Sequence, residues 1–176
     1  IAEEARGKGF DPETHVEVPQ AEDLASRVEK LLFEYDVEGV ADDIRRLTDQ
    51  YGNREIVALK IAEEVAKWPA SSVDKAVDRA VRVGLAVLTE GILVAPLEGI
   101  ADTRVGKNDD GSNYIDLIFA GPIRAAGGTA QAMSVLIADM VRQSLGIGKY
   151  IPTKEEAARY DEEIPLYKQC QHLQFT

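Results

Sequence analysis

Hydrophobic positions recur along the first half of this chain with a helical period. Between Ala21 and Tyr35, the residues Leu24, Val28, Leu31, Leu32 and Tyr35 fall on one face of a 3.6-residue repeat, and Glu22 and Asp23 stand where carboxylates favour a helix N-terminus. Val40, Ile44, Leu47 and Tyr51 mark a second helix closed by Gly52. Asn53 caps a third, in which Val57, Ile61, Val65 and Trp68 share a face before Pro69 stops it. Ser71-Ser72-Val73-Asp74 resembles a capping box, opening a long helix through Val77, Ala80, Val81, Gly84, Val87 and Leu88 to about Glu90. Its small residues Ala76, Ala80 and Gly84 predict close packing against a neighbouring helix.

Past Gly91 the pattern changes to that of strands. Ile92 to Ala95 reads as a short strand interrupted by Pro96 and Gly99. Ile100 to Lys107 and Asn113 to Phe119 predict a β-hairpin around a flexible polar tip, Asn108-Asp109-Asp110-Gly111-Ser112. The second of these strands runs through Gly121-Pro122 into a glycine-rich loop, and the loop opens a helix. In that helix Met133, Leu136, Ile137, Met140, Val141 and Leu145 form a stripe expected to be core, with Gly146 as the left-handed residue that ends it. Ile147 to Pro152 links to a second capping box, Thr153-Lys154-Glu155-Glu156, and a short helix to about Glu163 that Pro165 terminates. The first residues hold Gly7, Gly9, Pro12 and Pro19 and read as an extended arm.

The predicted architecture is α+β: an extended arm over residues 1–20, a helical part over 21–90, and a small antiparallel sheet plus helices over 91–176. In the last part, the strand–Gly-rich loop–long helix unit packs on the sheet. Together the three are expected to form one compact domain.

Composition narrows the function classes. At 176 residues, 45% of them hydrophobic and 29% charged, the chain is long enough for a core and is not a disordered polymer. No apolar run approaches membrane-spanning length, so the expectation is a cytoplasmic protein with no membrane partner. One cysteine, Cys170, and two distant histidines, His15 and His172, exclude an internal disulfide framework and a Cys/His zinc cluster built from this chain. Cys170 and His172 are either a nucleophile pair or chance neighbours. The net charge of −11 argues against strong autonomous DNA binding unless basic residues converge. A start without methionine and an abrupt finish at Gln-His-Leu-Gln-Phe-Thr suggest a fragment of a longer chain.

Two places can meet an anion. In the glycine-rich loop, Gly127 and Gly128 let the backbone approach another group, Thr129 can cap the first amides of the helix, and Arg124 lies nearby. The competing reading is that these glycines only make the turn. The spacing matches neither a P-loop nor a dinucleotide fingerprint. The second place is the row Lys75, Arg79 and Arg82 at i, i+4 and i+7, either a nucleic-acid face or a surface salt-bridged to Asp74 and Asp78. Arg6 and Lys8 of the arm can touch phosphate or simply be solvated. Asp102, Asp116 and Asp139 are the carboxylates a pair of cations would need, but no pattern brings two of them together. No catalytic residue, metal ligand or cofactor is assigned to this chain.

Three segments carry a family resemblance. Arg6-Gly-Lys-Gly-Phe-Asp-Pro12, Gly121-Pro-Ile-Arg-Ala-Ala-Gly-Gly-Thr-Ala-Gln-Ala132 and Arg159-Tyr-Asp-Glu-Glu-Ile-Pro-Leu-Tyr167 resemble the N-terminal region of the large subunit of archaeal family D DNA polymerase. Arg124, Gly127, Gly128 and Thr129 match it, whereas Ala125 stands where serine is expected. The resemblance implies a replicative DNA polymerase that uses Mg²⁺ and pairs with a small 3′-5′ exonuclease subunit. It also implies that the Asp-rich catalytic motif and zinc-binding cysteines lie outside this piece. The module is then scaffold and DNA guide on primer-template, or an interaction surface for the small subunit or a second copy of itself. An autonomous nucleotide- or phosphate-binding domain is the alternative.

Overall fold

The computed structural model describes residues 21–89, 97, 99–121 and 128–171. The arm over 1–20, the strand expected at Ile92 to Ala95, and Arg124, Gly127 and His172 lie outside them. The described residues form six α-helices and one two-stranded antiparallel sheet, the helix-rich α+β arrangement that the periodicity predicts.

Local chemistry sets the helix boundaries. Helix α1 (Leu24–Leu31) starts where the Asp23 carboxylate accepts the Ser26 amide at 2.8 Å. It is shorter than its apolar pattern: the chain tightens into a 3₁₀ turn at Phe33–Tyr35 and reverses through Asp36 at φ +54°. That reversal sends Val37 into the core, which a straight helix through Tyr35 would not do. Helix α2 (Val40–Tyr51) ends on Gly52 at φ +65°, and Asn53 then caps α3 (Arg54–Val65) by accepting the Ile56 amide at 3.0 Å. Ser72 caps α4 (Val73–Leu88).

Strands β1 (Ile100–Lys107) and β2 (Asn113–Phe119) pair as the predicted hairpin, Lys107 opposite Asn113 and Ile100 opposite Phe119. An irregularity between Ile100 and Asp102 shifts the register. It lets Ile100 and Thr103, three apart, both turn inward.

Helix α5 (Gly128–Ser144) packs on α3 and α4, and the crossing point is Gly84 of α4. A Cβ there would sit 3.0 Å from the Ala58 carbonyl, Ala62 Cβ and Ile137 Cγ2, so a side chain would push three helices apart. The crossing also decides which face of α5 is core. Ser134, Ile137, Ala138 and Val141 are buried, while Leu136, expected inside, is exposed beside Val135. The close approach at Gly84 centres the contact on Ile137, and the apolar stripe is wider than the groove that receives it.

Two further expectations are corrected. The hairpin tip is not a free polar loop: the Asn108 side chain is buried and donates to Ser112 Oγ and the Lys149 carbonyl, both at 2.8 Å, and accepts the Ile151 amide at 2.9 Å. The linker that follows α5 is thus strapped over the tip. Helix α6 (Lys154–Gln171) begins in the predicted capping box, with the Thr153 amide donating to Glu156 and the Glu156 amide to Thr153 Oγ1. It then runs through Pro165 instead of stopping there. A proline removes one backbone bond and strains the preceding turn, but turns beyond it can re-form.

Candidate nucleic-acid interface

The basic row on α4 is not a surface stripe. Arg79 and Arg82 are only 4% and 7% exposed, and Lys75 alone of the three faces solvent. At i, i+4 and i+7 a charged row on a two-sided helix points partly inward when the helix is central, and α4 touches α1, α3, α5 and β1.

Each buried guanidinium closes a structural junction. Arg79 donates to the carbonyls of Val65, Trp68 and Pro69 where α3 ends and to that of Asp36 in the turn after α1, at 3.1–3.4 Å. It lies 5.7 Å from the centre of the Trp68 ring, and its Nε has no hydrogen-bond partner. Burial pulls its pKa below that of an ordinary arginine. Arg82 holds Asp78 with Nε at 3.0 and 3.1 Å, donates to the carbonyls of Leu97 and Ile100 at 2.6 and 2.7 Å, and stacks 4.8 Å over the Tyr35 ring. Asp78 also accepts from the Thr103 hydroxyl, and Asp74 accepts the Val105 amide. The two carboxylates therefore clamp β1 onto α4 instead of lying along a solvated row.

The loop candidate is described from Gly128 onward. Gly128, at φ +49°, is the first residue of α5, and Thr129 the second; both are exposed. Thr129 thus lies inside the first turn instead of before it. That turn contains no acidic side chain, so the positive end of a 17-residue helix is not offset by a carboxylate of its own. Arg124 and Gly127 belong to the segment outside the described residues.

The three carboxylates do not converge. Asp102 accepts from Arg104 Nε at 2.6 Å, and this bond holds its carboxyl below the ordinary range. Asp139 is held down in the same way by Arg142 at 2.8 Å, with Gln143 on its other oxygen. Asp116 stands opposite Arg104 across the hairpin. Each of the first two has an arginine of its own, a poor fit to a shared pair of divalent cations. Among the described residues no group of three or more His, Cys, Asp or Glu side chains could hold a metal ion.

One feature had no sequence signal. Ile115, Leu117 and Phe119 of β2 face Val135 and Ala138 of α5 across a cleft of about 290 Å³, rimmed by Asp139, Arg142, Lys149 and Tyr150. The floor is apolar, and on the rim Arg142 spends its guanidinium on Asp139 and the Ile147 carbonyl, so the rim's net charge is that of Lys149. Tyr150 packs edge-on to Tyr114, 4.9 Å between ring centres, and its hydroxyl, bonded to Glu156 at 2.6 Å, is pushed up to about 12. The sequence separation of β2 from Lys149 and Tyr150 concealed the cleft.

Across residues 1–176 the chain matches the family described as DNA polymerase II large subunit DP2, N-terminal. It is 52% identical to the DNA polymerase II large subunit of Thermoplasma acidophilum, an alignment covering 99% of this chain and 16% of that protein. With the same subunit of Methanococcoides burtonii the identity is 51%, over 100% of this chain and 15% of the relative. With that of Thermococcus kodakarensis it is 49%, over 95% of this chain and 9% of the relative. Less than one fifth of these relatives' length is therefore represented. Among the described residues no helix is long and apolar enough to cross a membrane.

Proposed function

Because the chain belongs to the family of the DNA polymerase II large subunit DP2, N-terminal, we propose that it is a non-catalytic module of the large, polymerising subunit of an archaeal replicative DNA polymerase. Its work in that enzyme is scaffolding, with one contact to a phosphate of primer-template DNA at the start of α5. In this reading the parent protein carries out DNA-templated DNA synthesis with Mg²⁺ held elsewhere in the subunit, beside a small subunit that supplies 3′-5′ exonuclease.

The observation that carries the phosphate contact is the exposed first turn of α5. Gly128 and Thr129 are exposed there, and the first turn carries no carboxylate that would repel an anion. Arg124, four residues before Gly128, supplies the full positive charge. Arg79 and Arg82 are withdrawn from the DNA-binding set, since both are buried and their terminal guanidinium nitrogens bond backbone carbonyls within the protein. Lys75 remains an exposed cation. The net charge of −11 fits a module whose DNA contact is local, with the main basic surface supplied by the rest of the enzyme.

Binding of the assembled polymerase to primer-template across a salt series tests this. Arg124→Ala is expected to weaken binding uniformly across sequences and to lower the slope of log K against log salt by about one. An unchanged slope and affinity would remove the phosphate role and leave scaffolding.

A further inference from the structure

The apolar face of α6 has no partner among the described residues of the fold. From Ala157 to Cys170 every residue is exposed, including Tyr160 at 64%, Ile164 at 51%, Leu166 at 60% and Tyr167 at 58%. Tyr160, Ile164 and Tyr167 are spaced i, i+4 and i+7, and Glu163, Leu166 and Cys170 extend the same side, bordering a space of about 670 Å³. A patch of this kind on a water-soluble body marks an interface.

Helix energetics point the same way. An isolated helix of this length is marginal in water, and proteins stabilise such helices by packing an amphipathic face. Here an 18-residue helix, about 27 Å long at 1.5 Å per residue, carries at an interior position a proline, the residue least favourable to a helix. The capping box and the Arg159–Glu163 pair contribute too little to offset that. The missing stabilisation has to come from a surface outside the described residues.

We propose that this face docks against the part of the large-subunit polypeptide outside these 176 residues, onto an apolar surface with a basic rim. The proposal rests on the family-level reading above. Two observations select the occupant. The matched region is only 16% and 15% of two of the relatives, so most of the polypeptide that can cover α6 belongs to the same chain. The helix also carries Glu155, Glu156, Asp161, Glu162 and Glu163 against Lys154, Arg159 and Lys168, five carboxylates to three cations, which a basic rim complements.

The test places the photo-crosslinker p-benzoylphenylalanine at Ile164 of the full-length large subunit, assembled with its small subunit from an equal mixture of ordinary and ¹⁵N-labelled large subunits. After irradiation and digestion, crosslinks to peptides of the same polypeptide outside the 176 residues, without mixed-isotope pairs, are expected. Crosslinks to the small subunit, between isotopically distinct copies, within the 176 residues, or none at all would overturn the proposal. Hydrogen exchange on the same assembly gives a second reading: amides of residues 157–170 should exchange at least about tenfold more slowly than unprotected amides. Fast exchange throughout α6 would also overturn it. Neither measurement involves DNA, so failure of the Arg124 phosphate contact leaves this docking intact, and the reverse holds as well.

Discussion

Arg82 shows how far a residue's role depends on what surrounds it. In sequence it is one of three cations on a helix; in the fold its three guanidinium nitrogens donate to a carboxylate and two backbone carbonyls in a buried junction. Lysine keeps the charge but lacks the planar fork, so Arg82→Lys should cost about 2–4 kcal/mol in denaturant unfolding, much of it from groups left buried and unpaired. The same variant in the assembled polymerase should keep its salt slope for DNA. A slope reduced by about one would mean that Arg82 reaches phosphate after all.

Asp23 is a second such case, at once the N-cap of α1 and the acceptor for Arg45 at 2.8 Å. The Arg45 hydrogen bond, with the Ser26 amide, holds its carboxyl well below the ordinary 3.8. A carboxyl lowered in the folded state contributes stability that is present above its unfolded pKa and is lost as pH falls through the folded one. Asp23→Asn keeps an acceptor for the Ser26 amide but cannot titrate. Its melting temperature should therefore fall less steeply than the parent's between about pH 4 and pH 2. Parallel curves would mean that the Arg45 bond adds nothing beyond the cap.

Among elements, the hairpin and the four helices before it follow from the sequence because their signals are local. Asn53, Ser72 and Gly52 each act on amides or dihedrals within a few residues, and strand alternation is read one residue at a time. The tip of the hairpin is different. Asp109, Asp110 and Gly111 have turn chemistry, yet Asn108 is bonded to Lys149 and Ile151, about forty residues away. Gly148 makes that strap possible, since a Cβ there would lie 2.8 Å from the Asn113 carbonyl. Asn108→Ala should destabilise the fold by about 1–3 kcal/mol, because it removes a buried side chain that bonds the Lys149 carbonyl and the Ile151 amide at once. The Ile151 amide should then exchange with solvent faster than in the parent, and unchanged exchange would show that the strap is held by other contacts.

At the scale of the whole molecule, burial runs as one cluster from Ala25 of α1 to Val141 of α5, with Gly84 at the crossing of three helices. Periodicity, caps and turn residues determined the number, order and approximate ends of the elements, and the ordered Gly-Pro-Ile-Arg to Gly-Gly-Thr-Ala-Gln-Ala block identified the family. Those are short-range properties, readable along one dimension. The tertiary structure alone decided which side of each element meets another. It turned Arg79 and Arg82 inward, left Leu136 and the face of α6 outside, and joined β2 to Lys149 and Tyr150 around one cleft. A helix carries apolar residues over more of its circumference than a single neighbour can cover, so the sequence states what can be buried and packing selects what is.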